Sequence, residues 1–177
     1  MKIATTPMCQ EILRLAGVME FNIIRDGDYD NADVAIVLSE TKIPENSSTR
    51  YVKLKLNTFK QIKESVKLVS KILKTVPLNE NLNYEILNNY PENKNIRIKV
   101  HTNFIKEIAE DMGFQIVDEN FDYLIYPDYL KVNLKKDIKK AGERAIELPS
   151  HGNAPSNPIE RAQIRYKILE TGTCMKH

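Results

Sequence analysis

The sequence predicts an α/β protein built as two duplicated Rossmann-like β-α-β-β-β-α halves with mainly parallel sheets. Three observations carry that prediction. Short apolar runs bounded by polar residues, above all Ala32-Asp-Val-Ala-Ile-Val-Leu38, read as strands buried on both faces. Segments with helical spacing and their own start and stop residues alternate with those runs. The pattern then starts again: Thr6, Glu11, Ile12 and Ala16-Gly17 are answered 96 positions later by Thr102, Glu107, Ile108 and Met112-Gly113.

Taken in order, Lys2–Thr5 is a short strand that runs into a polar turn and a helix. Thr6 is its expected N-cap and Pro7 its expected first residue, where a missing N–H costs nothing. Gly17 stops this helix, Phe21–Ile24 is a second strand, and the Ala32 run forms the centre of the first sheet. Tyr51–Leu56 alternates like a strand nearer an edge. Thr58 with Gln61 forms a capping box ahead of Phe59, Ile62, Val66, Val69 and Leu73, which share one helical face until Pro77. Residues 1–77 are the first half. Residues 78–95, rich in Asn and Glu with one helical turn at Tyr84–Leu87, read as a linker. In the second half, 96–177, strands follow at Ile96–Val100, Phe114–Val117, Phe121–Tyr126 and Ala145–Leu148. A lysine-rich helix is expected between Leu130 and Gly142. Asn157-Pro158-Ile159-Glu160 opens a last helix with Ile159, Ala162, Tyr166 and Leu169 on one face.

Length and composition bound the function. A chain of 177 residues with 42% hydrophobic content buries a real core. A net charge of +2 calls for neither nucleic acid nor an anionic membrane. The longest apolar run, Val34–Leu38, is far too short to span a bilayer, and residues 1–20 contain no signal-like apolar stretch, so the expected location is cytoplasmic. Two distant cysteines make no disulfide framework and leave both thiols for metal or nucleophilic chemistry.

Parallel sheets bind ligands beyond the carboxyl ends of their strands. Those ends hold Thr6 and Cys9, then Ser39 and Glu40, in the first half, and His101, Asp128, Ser150, His151 and Asn153 in the second. Cys9, in a first helical turn, is the expected thiolate ligand or nucleophile. His151 is the expected acid/base or ligand, carried on the Pro-, Gly- and Asn-rich loop Leu148–Pro158. Thr6, Ser39, Glu40, His101, Ser150 and Asn153 are the expected ligand-binding residues. Cys174 and His177, as a C-terminal Cys-x-x-His, join Cys9 as candidate metal ligands. TTPMCQE lacks the Gly and Arg of a phosphatase loop, Gly17 and Gly113 are helix stops and not a dinucleotide turn, and Asp26–Asp30 lacks the Glu of a calcium loop. Lys131, Lys135, Lys136, Lys139 and Lys140 form the one concentrated positive face. They have no interleaved aromatics of the kind that stack bases.

The Lys-, Ile- and Asn-rich wording resembles small proteins of methanogenic archaea, of the methanogenesis-marker kind. That resemblance implies a role around methanogenesis enzymes or their cofactors, such as maturation or assembly, and it assigns no residue a role. The functional expectation is a protein that handles a small molecule or a cofactor of unspecified identity, with enzyme activity left open. Its site draws on both halves, whose strand ends either face each other across a cleft or share the rim of one continuous sheet. The alternative is a non-catalytic accessory subunit that binds a protein partner through the lysine face or an exposed sheet edge.

Overall fold

The apolar runs become strands of two four-stranded parallel sheets in the computed structural model, which describes residues 1–25, 27–78 and 91–174. The first unit is Met1–Tyr84 with Ser156–Ile159, the second Glu85–Pro155 with Glu160–His177. The first contains β1 (Ile3–Thr5), α1 (Gln10–Leu15), β2 (Asn22–Ile23), β3 (Val34–Leu38), β4 (Arg50–Leu54) and α2 (Phe59–Leu73). Its strands lie in the order β2-β1-β3-β4, all parallel. The second contains β5 (Arg97–Val100), α3 (Asn103–Asp111), β6 (Gln115–Ile116), β7 (Tyr123–Pro127), α4 (Lys135–Ala141) and β8 (Ala145–Leu148), and α5 (Pro158–Cys174) follows. The order is β6-β5-β7-β8, again all parallel. The same topology twice in one chain is the duplicated Rossmann-like arrangement.

Local devices repeat with the topology. Gly17 and Gly113 take φ of +80° and +82°, the left-handed conformation that favours glycine. Around each, a pair of hydrogen bonds satisfies the last helical carbonyls: Gly17 N to Arg14 O with Val18 N to Leu13 O, and Gly113 N to Glu110 O with Phe114 N to Ala109 O. An aspartate before each central strand latches onto the start of the first. Asp33 Oδ2 accepts from Lys2 N at 2.6 Å, and Asp122 Oδ2 accepts from Arg97 N at 2.8 Å. The central strands β3 and β7 are buried along almost their whole length, as parallel strands covered on both faces must be.

The units differ in what covers one sheet face. In the first, Tyr29 packs on Ala4, Ala35 and Val37, with Tyr51 edge-on to it at 5.8 Å. In the second, α4 does this work, Ala141 packing on Leu124 and Tyr126 with Leu134 and Ile138 alongside. The lysine-rich helix is shorter than the sequence predicts. Asp128–Leu130 is a 3-10 turn, α4 starts only at Lys135, and between them Val132 is 82% exposed and gives a helix nothing to bury. Lys131 leaves the lysine row and bonds Glu147 Oε2 through Nζ at 2.8 Å.

One helix start also differs. The Thr58 and Gln61 capping box forms as expected, but α1 begins at Gln10, with Cys9 and not Thr6 at the N-cap. Cys9 N donates to Thr6 O at 3.0 Å, so a backbone turn satisfies the amide that the Thr6 hydroxyl was expected to cap. Thr102 does hold the N-cap position of α3, yet its side chain makes no capping bond. Residues 79–90 of the expected linker, with the helical turn at Tyr84–Leu87, lie outside the described residues, as do Asp26 and His177.

Candidate ligand-binding site

In a 2-1-3-4 strand order the connections leave the first strand in opposite directions, which opens a crevice at the carboxyl ends of the first and third strands. In the first unit that point is occupied by Thr6 after β1 and by Ser39 and Glu40 after β3. Ser39 Oγ donates to Glu40 Oε2 at 3.1 Å on the surface. Thr6 Oγ1 is buried and has no hydrogen-bond partner. Cys9 lies fully inside the core at 0% exposure. With only six residues in α1, the helix start offers the thiol far less dipole than the sequence argument assumed. Burial, then Cys9 and Tyr51, push the neighbouring Tyr29 phenol above its ordinary range.

The second rim is more elaborate. His101 follows β5 and is exposed; Thr102 Oγ1 is, like Thr6 Oγ1, buried without a hydrogen-bond partner. Asp128, just past β7, organises the loop after β8. Its Oδ2 accepts from Ser150 N at 3.0 Å and from Asn153 Nδ2 at 2.7 Å, while Oδ1 accepts from Tyr129 N at 2.8 Å. Burial opposes ionisation of this carboxyl, but the hydrogen bonds from Asn153 and Ser150, then Tyr129, outweigh it and hold the acid below the usual carboxylate range. Ser150 and Asn153, expected as ligand contacts, thus shape the loop.

Two arginines pin the ends of the same loop. Arg161 Nη1 donates to Pro155 O at 2.9 Å and Arg165 Nε to Pro149 O at 3.0 Å. They stand one turn apart on α5, and both are 0% exposed. Phe104 of α3 lies under the Arg165 guanidinium, 4.6 Å from ring centroid to Cζ, and edge-on to the His151 ring at 6.2 Å. Arg165 Nη1 and Nη2 are buried and have no hydrogen-bond partner. Burial, then the like charge of Arg161, lowers this guanidinium to about 10, with Asp128 pulling the other way. It therefore remains a cation at neutral pH. A buried ion without an ion-pair partner costs on the order of several kcal/mol; stacking on Phe104 offsets about 1–2 kcal/mol of that, and the field of Asp128 offsets a further part.

The structure thus places Thr6, Ser39 and Glu40 at one rim and His101, Ser150, His151 and Asn153 at the other, while Cys9 is withdrawn into the core of the first unit. Phe104, Asp128, Arg161 and Arg165 emerge at the second rim without having been singled out as site residues in the sequence. A signal for the arginines was present: they sit four apart beside Ala162 and Tyr166, in the predicted apolar face, with no acid three or four positions away. Among the described residues no group of three or more His, Cys, Asp or Glu side chains is placed to hold a metal ion. The side chain of Cys174 and all of His177 lie outside that description. No described helix is long and apolar enough to cross a membrane.

Two parallel sheets of this order define a class, the two-unit α/β fold, and solved structures share it. The chain is similar to the laminin-binding protein Lbp of Streptococcus pyogenes, with a TM-score of 0.59 at 10% identity over 97% of this chain and 99% of that one. It is also similar to a zinc-bound variant of AdcAII from Streptococcus pneumoniae (TM-score 0.57, 11% identity, 97% and 98% of the two chains). A third is the zinc-bound ZnuA-like domain of AdcA from the same species (TM-score 0.51, 12% identity, 99% of each chain). At these identities the likeness is one of fold. No protein-family model matches the chain, and comparison with curated proteins gives no match.

Proposed function

We propose that this protein binds a small ligand at the carboxyl rim of its second sheet, around the loop of residues 149–155. The observation that carries this reading is the way the loop is held. Asp128 ties its middle, and Arg161 and Arg165 tie its two ends, from elements of the rigid sheet and helix scaffold. A loop fixed at that many points holds its side chains, His151 included, in one geometry, as a binding site requires. The zinc-bound proteins of like fold lend support to small-ligand handling in general. The metal itself is a weaker candidate here, because the described residues offer no ligand cluster. With the resemblance to methanogen proteins, the setting we propose is maturation of a methanogenesis enzyme or its cofactor, with His101 of the same unit as a further contact of the handled species.

Native mass spectrometry with metal analysis, on protein purified without oxygen from its own source, tests this. The expected result is a retained small species that is lost on Asp128→Ala, which unties the loop. Bare protein, or retention that Asp128→Ala leaves unchanged, contradicts the reading. A second reading, an accessory subunit, is favoured by the exposed Lys135, Lys136, Lys139 and Lys140 on α4. Reversing the charges of Lys135, Lys136 and Lys139 should then release a stoichiometric partner and spare the small species.

A further inference from the structure

We propose that the species bound at the second rim carries an oxyanion, and that Arg165 is the residue that receives it. This deepens the small-ligand reading and rests on it. The argument comes from the duplication, which supplies its own control. In the first unit, Ser65 of α2 donates through Oγ to the carbonyl of Lys55, the residue directly after β4, at 3.2 Å. In the second, Arg165 of α5 donates through Nε to the carbonyl of Pro149, the residue directly after β8, at 3.0 Å. The two ties are equivalent, and a hydroxyl suffices for the first. The fold therefore needs one donor at this position, and Arg165 brings a full positive charge and two further nitrogens.

Those two nitrogens, Nη1 and Nη2, are buried and have no hydrogen-bond partner, and none of the described carboxylates forms an ion pair with this guanidinium. Nη1 and Nη2 form the end-on fork that binds carboxylate or phosphate oxygens two at a time. With Nε occupied by Pro149 O and one face covered by Phe104, the fork is the part of the group left to a ligand. Arg161 on the preceding turn adds like charge, which favours an anion over a neutral molecule. Because the fork is sealed from solvent, binding is coupled to a local opening. Its signature is saturable stabilisation, not the graded response of a surface salt effect.

The test is thermal unfolding of the full chain in inorganic phosphate and in malonate, against chloride at equal ionic strength. One of the two oxyanions raises the unfolding temperature saturably, by about 3 °C or more; which one does so separates a phosphate from a carboxylate ligand. Arg165→Met abolishes that rise and, in chloride, unfolds no lower than the parent, since relief from burying a cation without an ion-pair partner outweighs the one hydrogen bond to Pro149 O that it loses. Arg165→Lys keeps the charge but not the fork, and shifts the half-saturating concentration upward at least tenfold; it carries the test if Arg165→Met fails to accumulate. Absence of a saturable response to either oxyanion, or an equal response in Arg165→Met or Arg165→Lys, overturns the proposal. A neutral or cationic species retained from the native source equally by parent and Arg165→Met overturns it too, while leaving the small-ligand reading intact.

Discussion

Between β4 and α2 the chain passes from strand to helix through residues 55–58; between β8 and α5 it takes residues 149–157. Both passages solve one problem, to satisfy the carbonyl at the strand end and start a helix against the sheet. The short one does so with Ser65 and a capping box. The long one adds an aspartate hub and two buried arginines. The short version folds a sheet of the same order, so we propose that the extra machinery of the long one is surplus to folding. Duplication separates what the architecture requires from what one copy has added.

The comparison breaks first where the copies agree. Gly17 and Gly113 share a left-handed stop, so Ala at either costs about 1–2 kcal/mol from the backbone alone. At Gly17 an added Cβ also meets Val76 O at 2.1 Å, so Gly17→Ala should lose about 3 kcal/mol. A loss no larger than the backbone cost would show that the Val76 approach is not maintained in solution. Ser65→Ala should cost about 1 kcal/mol in urea unfolding, the worth of one hydrogen bond. A loss several times larger would mean that the tie, and with it the need for a donor at Arg165, had been undervalued.

Asp128 sharpens the contrast through pH. Its carboxyl is held below the ordinary range in the folded protein, so its contribution is present at neutral pH and lost only as pH falls through the folded value, below about pH 4. Protection of the Ser150 amide, its exchange rate relative to that of an unstructured amide at the same pH, should therefore hold at neutral pH and fall below that range; Asp128→Asn should lower it throughout. Charge reversal at Lys135, Lys136 and Lys139 should have the smallest effect, leaving unfolding temperature unchanged, because these side chains are solvated.

Much of this architecture was legible from periodicity. Apolar runs gave the central strands, and Gly17 and Gly113 gave the helix stops. The repeated pattern also implied that the two units share one topology, although the strand order itself comes from the structure. What the sequence hid was local competition. Thr6 lost its capping role because a backbone turn reached the Cys9 amide first. Of the two places the sequence offered, Cys9 first and the loop after the last strand with His151 second, the first is buried in the core and the proposed site uses the second. Its chemistry was less legible. Arg161 and Arg165 hide in an apolar helical face that their neighbours Ala162 and Tyr166 already explain, and only three-dimensional burial shows two cations where core was expected.

Exchanging one residue between the copies tests the central claim most directly. Arg165→Ser installs in the second unit the donor that the first unit uses, and its unfolding temperature is to be compared with the parent in chloride, free of phosphate and carboxylates. If the guanidinium is surplus to the fold, the variant unfolds at or above the temperature of the parent. A clear fall below the parent would mean that Arg165 is there to build the core, and the contrast between the two units would lose its functional meaning.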